Sequence, residues 1–153
     1  MTENEAAWFA GVLDSDGHIG IYRNLGTTQR RMTPRYAPSL VVVNTSEALM
    51  KRLLTLWPAS RLKNRRRVSE RHRQTYAWMC LTHESMVDLL VVLQPFLVAK
   101  AEQAALLLEF MATRKRTTSM GTGTRVPVEE VAYREACWKR MLALNSPLST
   151  RND

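Results

Sequence analysis

Long apolar runs are missing from this chain. Stretches such as LLVVL at 89–93 are far shorter than the roughly 20 residues that a membrane-spanning helix needs. No membrane partner is therefore expected. The opening MTENEAAWFAGVLDSDG lacks a basic segment followed by a cleavable apolar stretch, so no signal peptide is expected. Cysteine is scarce. Cys80 and Cys137 stand alone, without zinc-ligand spacing, and read as two buried thiols in a reducing compartment. These absences together point to an intracellular protein, in a bacterial cytoplasm or an organelle. Acids are missing from one long stretch. Between Gly17 and His83 lie 13 of the 22 Lys and Arg but only two of the 14 Asp and Glu. The net charge of +8 is thus concentrated in one part of the chain. A solvated basic face would satisfy that pattern, but a polyanion-binding surface accounts better for the lack of interrupting acids.

The chain has 153 residues, 45% of them apolar, which suits one domain with a real core. Residues 1–145 are expected to form that domain and 146–153 a disordered tail. Residues 5–15 read as a helix, with Gly17 where a C-terminal glycine belongs. Alternation predicts strands over 18–24 and 35–44, although Pro38 argues against a mid-sheet place for the second. A helix follows over 45–57, capped by Thr45 or Ser46 and stopped by Pro58. SRLKNRRRV and RQTYAWMCL read as a second hairpin. Helices are predicted from His83 to Pro95, over 100–115 and over 128–145. The order α-β-β-α-β-β-α-α-α predicts an α+β domain with one antiparallel sheet. Helices would cover one sheet face and leave the other to carry the arginines.

The informative segment is WFAGVLDSDG at 8–17. Gly11 inside a helix costs about 0.5–1 kcal/mol relative to alanine, which a close backbone approach would justify. Asp14 and Asp16 fall at the helix C-terminus, where the dipole disfavours carboxylates. A bound cation reverses that argument. The segment also reads as a plain Asp-x-Asp-Gly turn. A calcium loop of the EF-hand kind fits poorly, because its twelfth position is Leu25.

FAGVLDSDG at 9–17 resembles the motif that names the LAGLIDADG homing endonucleases, with Ala10, Gly11, Asp14, Asp16 and Gly17 identical. LQPFLVAKAEQAALLL at 93–108, REACWKRMLALN at 134–145 and VVNTSEALMKRL at 42–53 are similar to segments of the single-motif, homodimeric branch. The resemblance spans roughly the whole chain. It implies the αββαββα fold of that family with extra C-terminal helices, its antiparallel sheet forming a DNA-binding saddle. It implies a site-specific double-stranded-DNA endonuclease that uses Mg²⁺ or Mn²⁺ and initiates intron mobility. One motif per chain implies a homodimer with a pseudo-palindromic target.

The resemblance also implies roles for residues. Asp16 would bind the catalytic metals, with the Ser15 backbone carbonyl as a further ligand. Asn44 stands where the family commonly has glutamine, and Lys100 matches an active-site lysine. Phe9, Ala10, Gly11 and Leu13 would lie at the dimer interface. The sheet would enter the major groove, with alternate strand residues reaching the bases. Parity from the motif gives His18, Gly20, Tyr22 and Asn24 as one such face. Arg35, Ala37, Ser39 and Val41 form another, as do Lys63, Arg65 and Arg67, and Thr75, Ala77 and Met79. Val41 or Ala77 would meet thymine methyls. Arg66, Arg71 and Arg73 suit phosphates, and Arg30 and Arg31 join the DNA-binding set from the first hairpin tip. Lys51 and Arg52 receive no role. The competing function is a non-cleaving LAGLIDADG-fold protein, either an RNA maturase or a transcription regulator.

Overall fold

The computed structural model describes residues 1–24, 34–65, 73–114 and 127–146. The elements are α1 (Glu3–Asp16), β1 (Gly17–Asn24), β2 (Arg35–Asn44), α2 (Glu47–Leu56), β3 (Ser60–Arg65), β4 (Thr75–Cys80), α3 (His83–Leu93), α4 (Ala101–Arg114) and α5 (Val128–Leu144). A 3₁₀ turn at Gln94–Phe96 follows α3, so the helix stops one residue before the segment holding Pro95. The observed order is the one expected from the sequence. No helix among the described residues is long and apolar enough to cross a membrane. Arg30, Arg31, Arg66, Arg67, Arg71 and the tail from 147 lie outside the described residues.

The four strands form one sheet in the order β1-β2-β4-β3, with β4 antiparallel to both β2 and β3. β2 is therefore interior, although it contains Pro38. The β2–β4 register runs over Val41–Asn44, so the proline lies outside that ladder and its missing N–H is not called on there.

Residue packing divides the chain into two compact units. The first comprises Met1–Ile19 and Ser39–Ala101. Its core gathers Phe9 and Leu13 of α1, Leu40, Val42 and Trp78 of the sheet, Met50 and Leu53 of α2, and Leu89, Leu90 and Leu93 of α3, all buried. Phe9 meets Trp78 edge to face, with centroids 5.3 Å apart. Behind them, the Trp57 indole N–H donates to Ser85 Oγ at 2.7 Å, and that hydroxyl donates to the Ala59 carbonyl at 3.0 Å. The second unit comprises Gly20–Pro38 and Glu102–Asp153. Leu107, Phe110, Cys137 and Met141 are buried there. Tyr36 donates to Glu135 at 2.7 Å, and the Arg23 guanidinium lies 4.9 Å from the centre of the Trp138 ring.

α1 begins two residues before its expected start. Thr2 and Glu5 form a reciprocal capping box, in which the Glu5 N–H donates to Thr2 Oγ1 and the Thr2 N–H to Glu5 Oε2. At its other end α1 passes straight into β1 with no loop. Gly17 is not left-handed: its φ is −82° and its ψ 158°. Space, not backbone freedom, demands glycine. A Cβ at Gly17 would run into the Leu13 carbonyl oxygen and side chain and come within 2.9 Å of the Leu13 Cα. Gly11 is the opposite case, with nothing within 4 Å of an added Cβ. Gly17→Ala should therefore destabilise the fold by about 1–3 kcal/mol. At a protein concentration low enough to keep the chain monomeric, Gly11→Ala should stabilise it by about 0.5–1 kcal/mol through helix propensity. Urea denaturation midpoints of the two variants check this pair, and the same direction for both would contradict it.

Candidate active site

The α1–β1 junction leaves Asp16 exposed at the last position of a helix whose inner face is locked in the core. One carboxylate oxygen is held. Asn44 at the end of β2 donates from Nδ2 to Asp16 Oδ2 at 2.6 Å. The orientation of that amide is set from the other side. Asn44 Oδ1 accepts the backbone N–H of Ser46 at 2.7 Å, a turn that leads into α2, and Ser46 in turn caps α2 by accepting from Leu49 N–H. The amide oxygen is committed to the backbone, so the NH₂ end must face Asp16. Asn44 thus presents a donor at this site, not a ligating oxygen. It also has the parity of Val42 and Tyr76, on the helix-covered side of the sheet.

Asp14 is engaged differently. Its carboxylate accepts the backbone N–H groups of Val98 at 2.8 Å and of Lys100 at 2.9 Å, which pins the turn before α4 to the end of α1. Lys100 returns its ammonium to the Asp14 carbonyl oxygen. α1 has no basic residue in its own last turn, so Lys100 supplies from 86 positions away the cation that a helix C-terminus favours. The positive charge offsets the cost of two aspartates at that end. His18, exposed on β1, feels the same cation: partial burial first, then Lys100, hold its imidazole below the usual histidine range.

Asp16, Asn44, Lys100, Asp14 and His18 all belong to the first compact unit. Arg52 and Lys51, left without a role by the sequence, form surface ion pairs. Arg52 meets Glu5 of α1 at 2.7 Å, and Lys51 meets Glu47 within α2 at 2.8 Å.

The four residues expected at a dimer contact divide. Phe9, Ala10 and Leu13 are fully buried in this chain, while Gly11 is exposed. A 3.6-residue period explains why: the exposed stripe of α1 runs through Asn4, Ala7, Trp8, Gly11 and Ser15, and the motif's larger side chains point inward.

The sheet residues of the first unit fall into register. Lys63 is paired with Ala77 and Arg65 with Thr75 across β3 and β4, while Val41 is paired with Met79 across β2 and β4. Val41, Lys63, Arg65, Thr75, Ala77 and Met79 therefore share one face, opposite buried Trp78 and Val42. Two further residues belong to it. Arg61 is paired with Met79 and Val43 with Ala77. The i, i+2 spacing of Arg61, Lys63 and Arg65 was the signal for the first. Ser39 and Ala77 have the outward parity but are buried, which withdraws the Ser39 hydroxyl and the Ala77 methyl from that surface. In the second unit Tyr22, Asn24 and Arg35 are exposed, and in the first Arg73 is exposed just before β4.

Asn44→Asp would set a second carboxylate oxygen 2.6 Å from Asp16. Its thermal midpoint in chelator should fall below that of the parent and rise again when Ca²⁺ is added. An unchanged midpoint would contradict the contact.

No protein-family model matches the chain, and no curated protein matches it. Solved structures do. The homing endonuclease I-CvuI, in complex with the I-CreI target, superposes with a TM-score of 0.63 at 19% identity, covering 91% of this chain and 95% of that one. The archaeal intron-encoded homing endonuclease I-Vdi141I, complexed with DNA, gives 0.75 at 10% identity, covering 99% and 90%. The group I intron-encoded I-CeuI, also complexed with DNA, gives 0.72 at 12% identity, covering 99% and 71%. Its neighbours are thus LAGLIDADG homing endonucleases, and the chain has the LAGLIDADG homing endonuclease fold.

Proposed function

We propose that this protein is a metal-dependent endonuclease that cuts double-stranded DNA at a specific site as a homodimer, and so initiates intron mobility. The observation that carries the reading is Asp16, an exposed carboxylate with Oδ2 held by Asn44 and Oδ1 without a hydrogen-bond partner among the described residues. An oxygen donor of that kind suits Mg²⁺ or Mn²⁺. No group of three or more His, Cys, Asp or Glu able to hold a metal occurs among the described residues. On this reading Asp16 and the Ser15 backbone carbonyl would be this chain's own donors to the metal. Divalent ions bound there would activate water and stabilise the leaving oxygen of the phosphodiester. The chain's own groups would do the rest: Asn44 would aim the carboxylate, and the Lys100 ammonium at the Asp14 carbonyl would lend positive charge to the same helix end.

Dimerisation would use the open stripe of α1. Gly11 lets a second backbone approach, with Ala7 and Trp8 (42% exposed) beside it. Two such helices related by a twofold axis would bring two Asp16 side chains to opposite DNA strands of a pseudo-palindrome.

Asp16→Asn should abolish nicking of supercoiled plasmid carrying the target in Mg²⁺, a loss of 10³-fold or more on the order of other lost metal or transition-state contacts. Its DNA affinity in chelator should change little. Retained cutting would sink the assignment, and specific binding without cutting by the parent protein would favour the non-cleaving alternative. Gly11→Leu has room in its own chain, so it should fold normally and sediment as a monomer. A dimeric Gly11→Leu protein would refute the α1 contact.

A further inference from the structure

The outward face of β2, β4 and β3 in the first unit is not uniformly polar. Read across the strands, one row is Val41, Met79, Arg61 and the next is Val43, Ala77, Lys63. A third adds Thr75 and Arg65. The first two rows therefore run from apolar side chains on β2 and β4 to a cation on β3. The three cations are exposed, Val41, Val43 and Met79 are partly so, and Ala77 is buried between them. Among these residues only Thr75 places a neutral hydrogen-bonding group between the apolar block and the cationic strand.

We infer that the apolar block on β2 and β4 reads the C5-methyl groups of thymines in the major groove, so that recognition in this part of the target depends on methyls. The inference rests on the DNA-binding reading above. Charge fixes the occupant: the flanking Arg61, Lys63 and Arg65 suit a phosphate backbone or guanine edge, and no cation interrupts the block itself. Chemistry fixes the base. The thymine methyl is the apolar group that the major groove displays, and every other base edge there offers donors or acceptors. Such groups pressed against Val41, Val43 and Met79 would lose water without gaining partners. A thymine methyl loses nothing.

The test begins with the parent protein in chelator, enriching sites from a pool of duplexes with a randomised centre. In the recovered site each thymine is then replaced in turn by deoxyuridine. That change removes the methyl and leaves base pairing and every groove donor and acceptor in place. At positions facing the block, affinity should fall roughly fourfold per methyl. With Val43→Ala, the penalty at one of those positions should shrink. Full affinity for every uracil duplex would overturn methyl readout while leaving the nuclease reading intact. Failure to enrich any sequence would instead overturn the DNA-recognition reading beneath it.

Discussion

A helix that becomes a strand with no residue between them is the constraint on which the site depends. The last carboxylate of α1 has no loop in which to move. Its position is set by two packed elements meeting at Gly17, where only a hydrogen atom fits beside the Leu13 carbonyl. Phe9 and Leu13 lock the helix below, and Ile19 locks the strand above. Groups built on rigid elements are held more closely than groups on loops. The acid reaches solvent because the hydrophobic core ends one turn beneath it.

Two tethers complete the arrangement, and they divide the work between the two aspartates. Asp14 is spent on structure, since both its oxygens take backbone N–H groups from the approach to α4. Asp16 keeps one oxygen open. The difference is one of direction. Two residues on a helix lie about 200° apart, so Asp14 turns towards its own chain and Asp16 away from it. Lys100 then serves twice, with its backbone N–H held by the Asp14 carboxylate and its ammonium at the Asp14 carbonyl. A single residue thereby couples the turn geometry to the charge balance of the helix end.

The element order and the acidic junction were legible in the sequence, because periodicity and turn residues are local signals. So was the shared face of Lys63, Arg65, Thr75 and Val41, since strand parity is local too. What stayed hidden depended on contacts between distant positions. Nothing near Asn44 reveals that its amide donor meets Asp16, 28 positions away. Nothing near Arg52 reveals Glu5. The motif match drew Phe9, Ala10 and Leu13 towards a partner chain, whereas helical periodicity turns them into this chain's own core and leaves Gly11 outside. The Thr2–Glu5 box was in plain view as T-x-x-E, and only the weak apolar pattern of the first four residues concealed it.

The strand that carries the cations is also an end of the sheet, since among the described residues β3 has a neighbour on one side only. An open strand edge invites pairing with other chains, and charged side chains are among the ways proteins prevent it. Arg61, Lys63 and Arg65 therefore guard this edge against such pairing. Redesigning this strand towards apolar contacts would expose an unprotected edge. Specificity can be altered more freely on β2 and β4, whose edges are already closed.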